Sequence, residues 1–333
     1  MEEFKEIQVL FLAHYAPRSK NDKVPSGIYD EVYAIYHHKV FTELSAIFPN
    51  LISSNNVSTI LDTDIKVDYI FSLYNRMPFR NSEIFVSSVA EYLRIPYLGA
   101  TPNIRALAED KHLAKMLARY LKVPTPAWKI YNVGDMVCEP YFAPPYFVKP
   151  RFGAASKFIN ENSICDTWEH AYNQIQVLFK HNIDVILEQQ IKGVYHTSPV
   201  LNNFNSPLLL PCVSQHSTHC GGVVTHEQKR KIESGLTREI LNDKIISNTI
   251  HQYSRLLFDQ IQPLDYTRFD YIVDDTGVPY FLEFNVCCNL GEHSTISQAA
   301  QSLGISYTEL IENITYSSLY RNNLIDESFG KNF

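Results

Sequence analysis

The chain has 333 residues, 45% hydrophobic and 20% charged, enough for two or three packed units around a large core in a soluble enzyme-sized protein. A formal net charge of −7 with no basic block gives a nucleic-acid partner no electrostatic support, and the acidic residues 1–6, followed by only a short apolar run, form neither a signal peptide nor a membrane span. Six cysteines without framework spacing point to a reducing cytoplasm, and the adjacent Cys287 and Cys288 could bridge each other only with strain.

Residues 7–13 are an apolar run ending in His14-Tyr15-Ala16-Pro17, which predicts a buried strand opening into a loop. No Gly-x-Gly-x-x-Gly follows, so a dinucleotide fingerprint is absent. Residues 27–48 carry apolar positions at helical spacing, 67–73 read as a second strand, 82–94 as a helix and 95–100 as a short strand. This alternation predicts a parallel α/β unit over residues 1–103. A second unit, 104–193, begins with a helix over 104–121 that carries Asp110-Lys111. A strand at 146–150 ends in Lys149-Pro150, a loop of small residues follows to Lys157, and Phe158-Ile159 reads as strand-like. A helix over 166–181 and a strand over 184–190 complete that unit. In the third unit, 194–333, strands lead to a charged loop at 225–235, a helix over 237–259, a hairpin, and helices near 294–303 and 306–320.

The hairpin, residues 266–285, is the most informative stretch. Arg268-Phe269-Asp270-Tyr271-Ile272-Val273 alternates polar with apolar, and Asp275-Thr276-Gly277 is turn chemistry. Side chains two apart share a face of a strand, so Arg268 pairs with Asp270, and Glu283 with Asn285. If the hairpin closes at Gly277, the two pairs sit opposite each other, and two carboxylates with one amide carbonyl are oxygen ligands suited to Mg²⁺. The plainer reading is a solvated face with scattered charges. Lys149 beside a small-residue loop offers what a polyphosphate needs, although a lone strand-end lysine is usually a surface residue. Glu188-Gln189-Gln190-Ile191 could serve an adenine edge or simply leave the core as an edge strand, and Lys229 matters only as part of a basic lid. His216-Ser217-Thr218-His219-Cys220 carries soft-metal ligand types without a second cluster to close a zinc site.

Taken in order, Asp110-Lys111, Phe147-Val148-Lys149-Pro150, Ile186-Leu187-Glu188, Lys229, Arg268-x-Asp270, Glu283-x-Asn285 and Ser294 resemble the ATP-grasp superfamily, and within it the D-alanine–D-alanine ligases. The resemblance runs from about Asp68 to Leu319 and implies a mixed α/β ATP-grasp fold behind an N-terminal parallel α/β domain. By position it implies that Lys111, Lys149 and Lys229 meet ATP phosphates, with the adenine near Glu188, Gln189, Gln190 and Ile191. Asp270, Glu283 and Asn285 match the ligands of magnesium, two ions that manganese could replace. Arg268 matches the arginine that stabilises the tetrahedral intermediate, Ser156 the loop serine over the site, and Ser294, beside His293, the serine that holds the second substrate's carboxylate.

The departures lie in the substrate sites. Asn289 stands where the family has the glycine that helps form the oxyanion site, and Tyr195 where it has a ribose-binding glutamate. The Glu-x-Glu-Val-Ser segment that binds the first D-alanine is missing, His14 opens an unrelated loop, and Glu83 is the remaining carboxylate for that role. The Cys-Cys-Asn-Leu-x-x-x-Ser run is similar in pattern to mycosporine-forming ligases. The resemblance thus implies an ADP-forming carboxylate–amine ligase of specialised metabolism that acts on amino-acid-like molecules, is cytoplasmic and, by analogy, homodimeric. A cell-wall D-alanine–D-alanine ligase and a non-catalytic ATP-binding sensor are the alternatives.

Overall fold

The structure, a computed structural model, describes residues 4–62, 64–75, 77, 82–153, 156–218, 224, 228 and 234–329. Three sheets follow one another along the chain. In the first, β1 (Val9–Leu12) lies between β2 (Leu51–Ser54) and β3 (Tyr69–Ser72), all parallel. Helix α1 (Glu31–Ile47) makes the crossover from β1 to β2, a 3₁₀ turn at Val57–Leu61 lies between β2 and β3, and helix α2 (Ile84–Leu93) follows β3. The parallel unit is present, but its third strand is β2, a half-buried Leu-Ile-Ser-Ser segment too short and polar to stand out in sequence. Residues 95–100, expected as a strand, contribute only a bridge from Tyr97 to Ile70.

The expected helix over 104–121 is two helices, α3 (Pro102–Glu109) and α4 (Lys111–Tyr120). Asp110 between them is extended, at φ −95° and ψ 98°, and its carboxylate caps α4 by accepting from the His112 amide at 3.0 Å. The same carboxylate accepts from Arg151 Nη2 at 2.6 Å and Nε at 3.0 Å, a bidentate pair that a straight helix would not form.

The second sheet, in the order β4 (Trp128–Tyr131), β7 (Val185–Gln189), β5 (Tyr146–Pro150), β6 (Ile164–Cys165), is antiparallel and is covered by α5 (Trp168–Lys180). Phe158-Ile159 is not a strand, because Phe158 sits in a turn at φ 61° and the pairing falls on β6 instead.

The third sheet runs β11 (Leu236–Ile240), β10 (Val213–Ser217), β8 (Gly193–Asn203), β12 (Tyr266–Asp274), β13 (Pro279–Asn285), with β9 (Ser206–Leu209) pairing β8. The expected helix over 237–259 begins only at α6 (Lys244–Phe258), capped by Asp243, because residues 236–240 pair with β10 as a strand. One face of the third sheet packs Phe269, Tyr271, Phe281 and Phe284 against Ile104, Ala114 and Ala118 of α3 and α4 and against α6. Helices α7 (Thr295–Ser302) and α8 (Tyr307–Arg321) close the chain. Their Ile296, Leu310 and Ile314 share a core with Phe11 and Tyr69 of the first sheet. Fully buried Asp265 takes hydrogen bonds from Arg321, Ser318 and the Gly99 amide, locking this junction. Among the described residues no helix is long and apolar enough to cross a membrane.

Candidate active site

The hairpin β12–β13 closes as its pattern predicts. Asp274 Oδ1 accepts from the Thr276 and Val278 amides and Gly277 takes φ 83°, a conformation open to glycine. The register sets Arg268 opposite Asn285 and Asp270 opposite Glu283, and a bulge then sets Tyr271 opposite Phe281. Phe269 and Tyr271 enter the core, so the four polar side chains share the other face.

Asp270 is fully buried; Thr197 Oγ1 donates to it at 2.9 Å, Asn285 Nδ2 at 3.2 Å, and Arg268 Nη2 lies at 3.4 Å. Thr197 in turn accepts from Gln215, and Gln215 from Arg238, whose Nη1 donates to the His293 carbonyl. Tyr195 also turns its hydroxyl to Asp270, and burial, then that carboxylate, push its pKa well up. Burial works against the charge on Arg268, but Asp270 and the groups around it outweigh that and hold the guanidinium more firmly protonated. Its Nε is buried and donates no hydrogen bond among the described residues.

Two carboxylates directly opposite on neighbouring strands repel. Arg268 offsets part of that charge and Lys111, whose Nζ is 3.8 Å from Glu283, offsets more. Asn285 donates through its amide nitrogen to Asp270, which leaves its carbonyl oxygen for an ion. Among the described residues no group of three or more His, Cys, Asp or Glu side chains could hold a metal, and the hairpin brings together two carboxylates and one amide. Hard oxygen donors of this kind fit Mg²⁺, with the rest of its shell from phosphate and water.

Lys111 and Lys115 are one turn apart on α4; Lys111 reaches Glu283 and the Gly153 carbonyl, and Lys115 meets β5 and β7 at Glu188. The Glu188 carboxylate is 3.0 Å from Lys115 Nζ and 3.1 Å from Lys149 Nζ, and all three residues are buried. Burial opposes ionisation of Glu188, but the two lysines outweigh it and keep its pKa below the usual range. Burial brings Lys115 down to about 8 and also lowers Lys111, whose Nζ donates to the Gly153 carbonyl at 2.5 Å. The Glu188 carboxylate therefore faces the lysines. The Gln189 and Gln190 amides already donate to Ala127 and Pro145, while the Gln189 side chain is exposed and Gln190 and Ile191 are half-buried. Lys115 was not anticipated, although its spacing of four from Lys111 was a signal. Thr197, Gln215 and Arg238 had none, since only strand pairing over long separations brings them to Asp270.

The remaining expected residues lie further out. Ser156 is in a turn at φ 55°. Ser294 caps α7 by accepting from the Ser297 amide at 3.1 Å, and His293 is exposed. Asn289 Oδ1 accepts from the Gly291 amide at 2.7 Å, so its side chain closes its own turn. His14 Nε2 lies 2.5 Å from the Asn75 carbonyl, and Asn75 donates to the Cys287 carbonyl at 3.4 Å. Cys287 and Cys288 diverge: Cys287 Sγ accepts from Arg105, whereas Cys288 donates to the Asn285 carbonyl. Lys229, His219 and Cys220 lie outside the described residues.

A family model described as "D-ala D-ala ligase C-terminus" matches residues 119–316. The chain belongs to the D-alanine–D-alanine ligase family. It is thus an ATP-dependent, ADP-forming carboxylate–amine ligase of the ATP-grasp type, and the family generally requires Mg²⁺. A D-alanine–D-alanine ligase of Clostridium botulinum is 27% identical over 239 residues, covering 70% of this chain and 76% of that protein. D-alanine–D-alanine ligase A of Bacillus cereus is 26% identical over 241 residues, covering 70% and 75%. The fold is similar to that of the D-alanine–D-alanine ligase of Bacillus anthracis complexed with ATP, with a TM-score of 0.74 at 18% identity over 96% of this chain and 98% of that one. It is also similar to VanG D-Ala:D-Ser ligase of Enterococcus faecalis, with a TM-score of 0.71 at 14% identity over 94% and 100%.

Proposed function

We propose that this ligase joins an amino-acid-like carboxylate to an amine through an acyl phosphate, with a substrate pair other than two D-alanines, in specialised metabolism. The observation that carries this reading is the turn after the donor hairpin, where Asn289 closes onto Gly291 and Cys287 is seated on Arg105, while the Asp270–Glu283–Asn285 face is complete. In this reading Lys111 and Lys149 draw charge from the phosphates, and Lys229 joins them. Lys115 and Glu188 hold Lys149 in place, and the strand end at Gln189, Gln190 and Ile191 borders the base. Arg268, whose buried Nε donates no hydrogen bond among the described residues, stabilises the oxyanion as the amine attacks. Asp270, Glu283 and Asn285 would hold magnesium, which supplies charge neutralisation at the phosphates when bound. His14, Glu83, His293 and Ser294 border the substrates, and Ser156 and Asn289 the reacting centre. We take residues 1–103, 104–193 and 194–333 as the working units of a cytoplasmic homodimer that uses two magnesium ions, replaceable by manganese.

Phosphate release from ATP and Mg²⁺ across D- and L-amino acids, alone and in pairs, tests this. Release that requires one particular unlike pair is expected. The named activity of the relatives favours a second reading, and release with D-alanine alone would establish it. ATP binding with no release across the whole set would sink both.

A further inference from the structure

Arg238 lies on the edge strand β11, directly across from Gln215 of β10, which is itself across from Tyr195 of β8. This row shares its face of the third sheet with Thr197 and Asp270, so Arg238 belongs to the same surface as the donor hairpin. Its Nε donates to Gln215 Oε1 at 3.2 Å, and its Nη1 donates to the His293 carbonyl at 3.2 Å, the residue before Ser294. Those two bonds aim the guanidinium. Nη2 makes no hydrogen bond among the described residues, and no described carboxylate pairs with Arg238. Alternation turns the neighbouring Glu239 to the opposite face, where its carboxylate lies 3.1 Å from His216 Nε2.

A cavity of about 340 Å³ opens beside this guanidinium, between β11 and α7, lined by Arg238, Glu239, Ile240, Gln298, Gln301 and Ser302. Small-molecule sites run from roughly 300 to 1,000 Å³, so the space suits a side chain or a small ligand. Its polar lining offers one cation, two amides and a hydroxyl. At about 1.5 Å per residue along α7, Gln298 is about 6 Å and Gln301 about 10 Å beyond Ser294. The cavity is therefore one to two turns away from Ser294, yet within reach of a side chain whose backbone sits there. Burial and the charge of Arg268 both work against the charge on Arg238. Two guanidiniums thus share this end of the face, and among the described residues only Arg268 has a carboxylate beside it.

We infer that the cavity between β11 and α7 receives the side chain of the amine substrate, and that Arg238 selects one bearing a carboxylate, so that the amine is an acidic amino acid. The inference rests on the ligase reading above and names the class of one substrate. In that reading Ser294 borders the carboxylate of the amine substrate's backbone, and the carboxylate at Arg238 is a second and separate group. It would accept from Nη2, and the Gln298 and Gln301 amides bring further N–H donors. A side-chain amide in the same place keeps the shape but gives the guanidinium no opposite charge.

The test uses the full-length protein and compares aspartate with asparagine, and glutamate with glutamine, of both hands. Each is probed as the amine in phosphate release with ATP and Mg²⁺, and for binding with ADP and Mg²⁺. One acidic amino acid is expected to be favoured over its amide by about tenfold or more, and Arg238→Gln should lose that preference through KM for the amine, with KM for ATP unchanged. Gln298→Glu places a negative charge in the cavity and should weaken the same amine by about tenfold, a second readout should Arg238→Gln fail to fold. Equal use of acid and amide, use of neutral amines alone, binding of neither acidic amino acid, or a preference that survives in folded Arg238→Gln would each overturn the inference. Succinate bound as tightly as aspartate would assign the cavity to a free dicarboxylate and overturn it as well. Binding of an acidic amino acid that Arg238→Gln removes, without phosphate release from any pair, would instead sink the ligase reading while leaving the carboxylate subsite standing.

Discussion

Two walls of the cleft solve the same electrostatic problem in different ways. On the hairpin and lysine side, buried charges meet partners: Glu188 lies between Lys115 and Lys149, and Asp270 meets Arg268, Thr197 and Asn285. On the wall formed by α3 and the start of α2, Glu83 and Glu109 surround a guanidinium whose hydrogen bonds go elsewhere. The first wall pairs its buried charges, whereas on the second the Glu109 Oε2 is buried and takes no hydrogen bond among the described residues. Carboxylates of the same chemical type therefore have opposite shifts, Glu188 below the usual range and Glu109 above it.

Three measurements would break or sharpen that contrast. The largest effect is expected at the donor face, where Asp270→Asn should cut substrate-dependent phosphate release by about 10³-fold or more with an unchanged circular dichroism spectrum. Turnover within tenfold of the original would remove Asp270 from the metal set. Next, Glu188→Ala leaves Lys115 and Lys149 buried and unpaired, and should cost roughly 3–5 kcal/mol in urea unfolding. A loss below about 1 kcal/mol would mean that the lysines find other partners and that the first wall is not built on this pair.

The smallest effect concerns pH. The folded-state pKa of Glu109 is raised above its unfolded value, so the folded protein binds more protons between about 4.5 and 7 and stability falls as pH rises through that window. Glu188 has the opposite sign, with its contribution present above the unfolded value and lost as pH falls below it. Glu109→Gln should therefore be relatively more stable than the parent at pH 8 than at pH 5, by at most about 3 kcal/mol. A constant difference between the two pH values would show that Glu109 is compensated like its counterpart across the cleft.

Much of the compensated wall was legible in sequence because its information is local. Alternation places Arg268 with Asp270 and Glu283 with Asn285, and one turn fixes which residues oppose each other. Other assignments failed where a competing contact outweighed local pattern. The helix expected over 104–121 breaks because Asp110 binds Arg151, and residues 237–240 become a strand because β10 offers a ladder to pair with. Lys115 is half legible, since helical spacing puts it with Lys111 but only the approach of β7 supplies Glu188.

By itself the sequence determined the order of the units, the donor hairpin and the family of ligases to which the chain belongs, because hydrophobic period, turn residues and motif order are carried by neighbours in the chain. Only the tertiary structure decided the second wall. Arg105 and Cys287 are far apart in sequence and meet through the Nη1 contact, and the charge state of Glu109 follows from burial and from Glu83 across a separate helix. A pKa and an unsatisfied oxygen are properties of an environment, and that environment exists only once distant segments have packed.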